Sequence, residues 1–541
     1  MTNGFENAAS CWREILSDVR HNRRLLSVIE GFAHEHDDYS PIVFGTSGWR
    51  GEIGTDYTFR RLRIVVDAII EMFREGDPSV MADIGVSGME EIRRRGVIVG
   101  HDNRFLGSAF ALEAIGRLEA AGIRAWYAGE APTPEFSAGL ETTGAACSIN
   151  LTPSHNPANY AGFKFNPADG GPAGSGITSR IEAIANGMLA ARRSPEPVPA
   201  VRVDNIDLTD IYLQYLIERK TIDLGRIKHF LEDADCIILI DNVHGSTRNR
   251  VQRILGPSSK IRYLRTEDDY LFGGVAPEPS EKNMAGIESG LSESTARFKL
   301  GVIMDPDGDR VRHSDGRIQI PMNYFGAMAL HFLHTHKGLR GIAVKSVATS
   351  NFVNAIASRL GIGVRETAVG FKNFRPYLLH SATEKALVAF EESDGISGYN
   401  HTLEKDALFG LLLSLDMMAV TGMNLGDYLR ELMAVFGDYY PDRSGISVDK
   451  ALAGKPLIDK LSSIGRQYTA GAKITIAGRE RTIRDVISVD GIKMVLDDDS
   501  WLMIRPSGTE PKVRFYIEAR SGEFRKEMLS AAEAITREAL K

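Results

Sequence analysis

Short apolar runs alternate with stretches of helical period along most of this chain, and one unit of that alternation occurs three times. The first copy opens with Gly96-Val97-Ile98-Val99-Gly100 and ends in the polar run His101-Asp102-Asn103-Arg104. It continues through a helical pattern at 109–121 to a second apolar run at 123–128. The second copy opens at 236–240, passes Asp241-Asn242-Val243-His244-Gly245-Ser246 and a helix-like stretch to Leu255, and reaches 261–264. The third opens at 342–344, passes Lys345-Ser346-Val347-Ala348-Thr349-Ser350-Asn351 and a helix to Leu360, and reaches 362–364. Such alternation predicts βαβ units and a largely parallel sheet. Each copy adds one more apolar run, at 144–151, 300–304 and 386–390, and each run ends in a polar loop containing glycine or proline. Ligands of α/β sheets bind beyond the carboxyl ends of strands, so the three loops predict one shared cleft.

The breaks in the pattern divide the chain. Residues 192–203 are polar and proline-rich, a second break lies at Ser314-Asp315-Gly316-Arg317, and a third at Gly437-Asp438-Tyr439-Tyr440-Pro441 after a long apolar helix pattern at 407–418. The remainder loses the repeat: strands at 501–504 and 513–518 flank a polar loop, and a helix at 525–540 closes the chain. The expected fold is α/β with four domains, three related mixed α/β domains plus a smaller α+β C-terminal domain, around a central cleft. The expected boundaries are 1–203, 204–317, 318–438 and 439–541. A length of 541 residues supports this division, since single cores stop growing near about 250–300 residues.

Composition narrows the class. Hydrophobic residues at 43% and charged residues at 25% describe an ordered globular chain. With 64 Lys and Arg against 71 acids the net charge is −7, which argues against a nucleic-acid binder. Cys11, Cys147 and Cys236 are far apart and odd in number, so they build neither a disulfide framework nor a cysteine zinc site. No apolar run approaches the roughly 18 residues of a membrane span, and the N-terminus lacks the pattern of a signal peptide. A cytoplasmic protein without membrane partners is expected.

Five loops carry candidate chemistry. Asp305, Asp307 and Asp309 alternate with Pro306 and Gly308 directly after an apolar run. Carboxylates this close repel one another unless a cation compensates, and hard oxygen donors suit magnesium. A calcium EF-hand fits badly, because Arg310 and Gly316 stand where that loop needs Gly and Glu. In Thr152-Pro153-Ser154-His155-Asn156-Pro157 two prolines restrict the backbone around a serine. A serine nucleophile needs an activating neighbour, and His155 and Lys164 are the candidates, although a capped turn alone also explains the segment. Arg505-Pro506-Ser507-Gly508-Thr509-Glu510-Pro511-Lys512 joins an arginine, hydroxyls and glycine-exposed amides, the donors a phosphate dianion takes. Glu391-Glu392-Ser393 offers acceptors for sugar hydroxyls, and Gly45-Thr46-Ser47-Gly48-Trp49-Arg50-Gly51 is a glycine-laced turn with one arginine. Together these loops point to phosphoryl transfer on a phosphosugar.

These five motifs, in this order from Phe44 to the C-terminus, resemble those of the α-D-phosphohexomutase superfamily, most closely its bacterial-type phosphoglucomutases. The resemblance implies an intramolecular phosphotransferase of the isomerase class. It would interconvert glucose 1-phosphate and glucose 6-phosphate through a phosphoserine enzyme and glucose 1,6-bisphosphate. It further implies that Ser154 carries the phosphoryl group, and that Mg2+ sits between that phosphate and Asp305, Asp307 and Asp309. Arg50 and Arg310 would line the transfer site, with His155 and Lys164 as acid/base candidates. Glu391 and Ser393 would hold sugar hydroxyls, and Arg505, Ser507, Gly508 and Thr509 the non-reacting phosphate. Gly370 and Lys372 resemble a further substrate loop, while His401 and Lys405 match positions of the glucose-specific enzymes. Phe390 and Ala407 depart from the pattern where glycine is usual, both near the sugar-reading region. Glu-Glu-Ser is similar to the glucose-specific members, whereas dual mannose/glucose and glucosamine enzymes more often place Met or Gln between Glu and Ser. The alternatives are a phosphomannomutase or other phosphohexomutase with the same mechanism, and a catalytically silent phosphosugar-binding paralogue. An aspartyl-phosphate enzyme of the haloacid dehalogenase type, with Asp305 as carrier, is a further rival.

Overall fold

A computed structural model describes residues 7–19, 21–36, 39–45, 48–199, 202–449, 452, 454–507 and 512–541. The chain divides into two compact units, Met1–Gln319 with Gly395–Leu425, and Ile320–Asp394 with Gly426–Lys541.

The first unit contains two copies of the repeat, and both have the same strand order. In the first, Val97–His101 lies between Ala125–Glu130 and Cys147–Leu151, all parallel. In the second, Cys236–Asp241 lies between Ile261–Leu264 and Phe298–Met304, again parallel. The central strands are buried along their whole length, which is why they read as unbroken apolar runs rather than alternating ones. Each sheet then gains an antiparallel neighbour, Tyr160–Pro167 beside Cys147–Leu151 and Val311–Ser314 beside Phe298–Met304. These hairpins carry the chain away from the polar loops, so the sheets are mixed.

Helices cover both faces of the first sheet. Phe59–Glu75 packs with Gly107–Ala120 and Ser175–Ala190, and Thr133–Thr143 with Leu208–Arg219, where Ile98, Phe136, Leu140 and Leu208 form a second core. The charged N-terminal stretch folds as two amphipathic helices, Ala8–Asp18 and Arg23–Glu35, whose N-caps are Asn7 and Asn22. Trp12 is fully buried and its indole Nε1 donates to the Ile53 carbonyl at 2.9 Å, which fixes the helix pair behind the strand Gly48–Glu52. Helix Ala407–Thr421 is apolar round most of its circumference, Ser414 and Asp416 excepted, and its residues 407–418 are all buried in protein. Among the described residues no single helix is long and apolar enough to cross a membrane.

The second unit contains the third copy, in which Ile342–Ser346 lies between Val364–Thr367 and Ala386–Glu391. It also holds a six-stranded antiparallel sheet in the order Tyr440–Ser447, Lys512–Ala519, Trp501–Pro506, Ile492–Leu496, Arg479–Ile487, Lys473–Ile476. Only the second and third of these strands stand out in the sequence. Arg479–Ile487 has a single buried residue, Ile483, and a mostly solvated strand leaves little apolar signal. Helix Gly522–Leu540 covers one face of the sheet. On the other face Trp501, Met503 and Tyr516 pack with Val347 and Ala348 of the third copy.

The departure at Phe390 has a packing explanation. Its side chain is fully buried, and a Cβ on Gly326 of helix Met322–Thr335 would overlap its ring. The pair exchanges bulk for space inside the core, so Phe390 does not face the polar loop that follows it. Replacing Phe390 by Ala removes a fully buried ring and is expected to lower stability by about 3–5 kcal/mol, read as the shift in a urea midpoint.

Lys493 is buried in the six-stranded sheet, with its ammonium donating to the Val347 carbonyl at 2.8 Å and lying 4.1 Å from the Trp501 ring centre. Burial, reinforced by Lys345, pulls its pKa down to about 8 from 10.5. Between these values the unfolded chain binds the extra proton, so stability rises with pH across that window and the gain is absent below it. Wild type is expected to gain stability from pH 8 to 10 relative to Lys493→Met, read from urea midpoints of both proteins.

Candidate active site

The loop at 305–309 follows the buried strand Phe298–Met304 and turns back into Val311–Ser314, so three carboxylates are carried into the protein. Asp305 is anchored by its own loop: Oδ1 accepts the backbone N–H groups of Asp309 and Arg310, each at 3.0 Å. Its Oδ2 accepts the Ser154 hydroxyl at 2.9 Å. Lys164, on the strand Tyr160–Pro167, donates to Asp307 at 2.6 Å and Asp309 at 3.0 Å. Lys405 reaches Asp309 at 3.2 Å, and Thr133 Oγ1 donates to Asp307 at 2.9 Å.

The electrostatics divide the three acids. Burial and the charges of Asp309 and Asp307 push Asp305 well above the usual carboxylate range. Burial would raise Asp309 too, but Lys164, Lys405 and Arg310 together outweigh it and hold it well below. Lys164 is buried, yet Asp307 and Asp309 raise its pKa and keep it charged. His155 is pulled well below its ordinary value by burial and by Arg310 and Arg50, so its ring is neutral near pH 7. Its Nδ1 lies 3.2 Å from the Ser154 hydroxyl.

Two glycines permit this convergence. A Cβ on Gly162 would come within 2.7 Å of Pro153 Cα, and one on Gly245 within 2.5 Å of Pro306 Cα. Both are backbone collisions, so the serine loop and the acidic loop approach their neighbours as closely as they do only over glycine.

The residues present fit a divalent cation. Asp305, Asp307 and Asp309 offer carboxylate oxygens within 4.8 Å of one another. Oδ1 of Asp307 and Oδ1 of Asp309 are buried without a hydrogen-bond partner, which normally signals a missing partner. An all-oxygen donor set of this kind suits magnesium better than a softer metal.

Arg50, Ser154, His155, Lys164, Asp305, Asp307, Asp309, Arg310 and Lys405 therefore lie in the first unit as one cluster. Arg50 donates to Asn156 of the serine loop at 2.9 Å, and Arg310 lies 3.8 Å from Asp309. His401 is not brought to these groups. It is buried under Tyr215 and Phe409, and its Nε2 meets Asp406 at 2.7 Å. Asp406 also accepts the Tyr212 hydroxyl at 2.6 Å and caps helix Ala407–Thr421. Ala407 is buried and donates its N–H to the Gly308 carbonyl at 2.9 Å, a bond that glycine would make equally, so this departure has no structural explanation.

The second unit carries the remaining candidates. Arg505 donates to Asp490 at 2.8 Å, and Asp490 also accepts the Val369 N–H at 3.0 Å, which draws Arg505 to the loop containing Gly370 and Lys372. Ser507 pairs its N–H with the Lys512 carbonyl at 2.8 Å. Gly508 and Thr509 lie outside the described residues, as do Thr46 and Ser47. Glu391 ends its strand and Ser393 follows it, but Glu392 between them turns inward. It accepts the hydroxyls of Ser346 at 2.6 Å and Thr349 at 3.2 Å, while Arg443 donates to its carbonyl at 3.2 Å. Glu392 thus anchors the loop. Thr133, Asp406, Asp490 and the inward role of Glu392 are not visible in the sequence, since each acts on a residue far away in the chain.

Four family models match in order along the chain. They describe phosphoglucomutase/phosphomannomutase α/β/α domain I at residues 41–191, domain II at 210–317, domain III at 321–436 and the C-terminal domain at 468–534. A phosphoglucomutase/phosphomannomutase of Thermococcus kodakarensis is 26% identical over 513 residues, covering 92% of this chain and 99% of its own. The phosphoglucomutase of Staphylococcus haemolyticus is 24% identical over 532 residues, covering 89% and 91%. A solved Thermus thermophilus protein, provisionally assigned as a phosphomannomutase, superposes with a TM-score of 0.74. It is 29% identical and covers 92% of this chain and 99% of its own.

Manganese titration followed by electron paramagnetic resonance is expected to show one bound ion in wild type. In Asp307→Asn the affinity is expected to fall by more than about tenfold, roughly 1.4 kcal/mol, with the fold retained.

Proposed function

The chain belongs to the phosphoglucomutase/phosphomannomutase family of isomerase-type phosphotransferases, and from that premise we propose that it interconverts glucose 1-phosphate and glucose 6-phosphate. Ser154 carries the phosphoryl group, and glucose 1,6-bisphosphate is the intermediate and activator. The observation that carries this reading is the Ser154 hydroxyl, 2.9 Å from Asp305 within a cluster whose Asp307 and Asp309 each keep one unsatisfied oxygen.

The roles follow from charge and reach. Asp305, Asp307 and Asp309 would hold magnesium beside Ser154, and the ion would supply charge neutralisation for the transfer. Arg50 and Arg310 add fixed positive charge at the same place. Lys164 and Lys405 are ion-paired ammoniums at Asp309, so they lend charge rather than take a proton. His155 is neutral and within reach of the serine oxygen, which supports it as the proton carrier: the sugar oxygen attacks phosphorus as the bond to the serine oxygen breaks, and the proton lost by the sugar hydroxyl passes by way of His155 to the serine oxygen. The proton and the phosphoryl group return by the same groups in the second transfer.

Glu391, Ser393, Gly370 and Lys372 bind the sugar, and Arg505, Ser507, Gly508 and Thr509 bind the phosphate that is not reacting. His401 acts through Asp406, fixing the start of helix Ala407–Thr421 and the adjoining Lys405. On the proposed division, the serine loop belongs to segment 1–203, the metal loop to 204–317, the sugar loop to 318–438 and the phosphate loop to 439–541. The preference for glucose rests on Glu391-Glu392-Ser393. Because Glu392 is turned to Ser346 and Thr349, it influences the sugar by setting the loop's position.

Isomerisation rates for the 1-phosphates of glucose, mannose, glucosamine and N-acetylglucosamine, with magnesium and a trace of the matching bisphosphate, test this reading. Glucose is expected to be fastest, and Ser154→Ala is expected to abolish both turnover and phosphoenzyme. A faster mannose rate keeps the mechanism and replaces the substrate. A phosphoenzyme that survives in Ser154→Ala but not in Asp305→Asn overturns the mechanism.

A further inference from the structure

The serine loop has an unusual backbone, and what holds it there lies outside the loop. Ser154 has φ +57°, the left-handed region that a residue with a Cβ enters at a cost of about 1–3 kcal/mol. Such a conformation persists only where its surroundings over-determine it.

We propose that Asp102, Arg104 and Thr152 are positioning residues for phosphoryl transfer, holding the Ser154 oxygen against the acidic loop through the serine's own backbone. The proposal rests on the reading of Ser154 as phosphoryl carrier. Arg104 is buried and spends its guanidinium on main-chain carbonyls of that one loop. Nη2 donates to Ser154 at 2.7 Å and Asn156 at 2.6 Å, while Nη1 donates to Pro157 and, at 3.3 Å, to Tyr160. Only a planar fork with several donors can gather so many acceptors at once. The Phe272 ring lies 4.8 Å from the guanidinium carbon and closes its other side.

Asp102 connects the two ends of the serine's peptide. Its Oδ2 lies 3.4 Å from Arg104 Nε, and Arg104 holds the Ser154 carbonyl. The same Oδ2 accepts the Thr152 hydroxyl at 2.6 Å, and Thr152 Oγ1 in turn accepts the Ser154 N–H at 2.9 Å. The N–H and C=O of residue 154 are thus both referred to one buried carboxylate, each through a single intermediary. Asp102 itself follows the strand Val97–His101, whose neighbour in the sheet, Cys147–Leu151, leads into the serine loop. The sheet therefore fixes the serine's direction, and neither the prolines beside it nor the acidic loop has to do so alone. The side-chain hydrogen bonds of the three run to one another and to the serine loop, so their effect on transfer passes through Ser154.

The test uses the full-length protein. Glucose 1,6-bisphosphate loads Ser154, checked by intact mass, and single-turnover transfer to glucose 1-phosphate is followed by rapid quench. Thr152→Val, which keeps shape and loses the hydroxyl, is expected to slow transfer by about 10–100-fold. Its KM is expected to be unchanged, and its thermal midpoint to fall by a few degrees because Asp102 and the Ser154 N–H lose a partner. Thr152→Ser, which restores the hydroxyl, is expected to recover the rate. Arg104→Lys keeps charge without the fork and is expected to slow transfer in the same way, which provides a second reading if Thr152→Val folds poorly. Wild-type transfer rates in folded, phosphorylated Thr152→Val or Arg104→Lys would overturn the clamp while leaving the phosphoserine reading intact. So would a Thr152→Ser protein as slow as Thr152→Val. Absence of phosphate on Ser154 in wild type would overturn both.

Discussion

Three carboxylates carried into the protein on one strand end are the constraint around which the first unit is arranged. Asp305, Asp307 and Asp309 are buried, with oxygens within 4.8 Å of one another. At that separation an effective dielectric of about 20 gives a repulsion of roughly 3–4 kcal/mol per pair, whereas one hydrogen bond returns about 1 kcal/mol. Hydrogen bonds alone cannot hold such a loop; positive charge must be supplied. Lys164 comes from the antiparallel strand that follows the serine loop, and Lys405 from the turn before helix Ala407–Thr421. A single requirement thus draws together elements far apart in sequence, and it also leaves oxygens that a divalent cation can take.

The strand order provides the means. In each copy of the repeat the first strand lies in the middle, with the second and third on either side. The loops after the first and third strands therefore emerge side by side at the same end of the sheet. That places the run at 101–104 beside the serine loop and the run at 241–246 beside the acidic loop, where Ser246 donates its hydroxyl to the Pro306 carbonyl at 2.7 Å. In the third copy it places Ser346 and Thr349 against Glu392. The polar run that ends each first strand supports the loop that ends the third. Repetition of the fold has brought repetition of this support, with different side chains in each copy.

Much of the architecture is written in the sequence because it rests on local periodicity. Unbroken apolar runs at 97–99, 236–240 and 342–344 mark strands buried on both faces, and amphipathic stretches between them mark the helices. The acidic triad, the serine between prolines and the Arg-Pro-Ser-Gly-Thr loop are equally legible, since unusual residue types are crowded into a few positions. The strands at 440–447, 473–476, 479–487 and 492–496 escaped this reading. Arg479–Ile487, with only Ile483 buried, shows why: its identity as a strand comes from its pairing rather than its apolar content.

What only the tertiary structure decided concerns direction and partnership. Phe390 stands one residue before Glu391, yet it fills the space left by Gly326 in the core. Glu392 sits in the middle of the Glu391-Glu392-Ser393 motif, yet it faces Ser346 and Thr349. His401 and Lys405 are four residues apart; one is enclosed by aromatic rings, and the other reaches Asp309. Sequence determined the buried strands and amphipathic helices of the repeats and which residue types are gathered at the strand ends, because hydrophobic period and turn chemistry are properties of neighbours in the chain. It did not determine which oxygen meets which ammonium, because that depends on the register and order of strands separated by up to hundreds of residues.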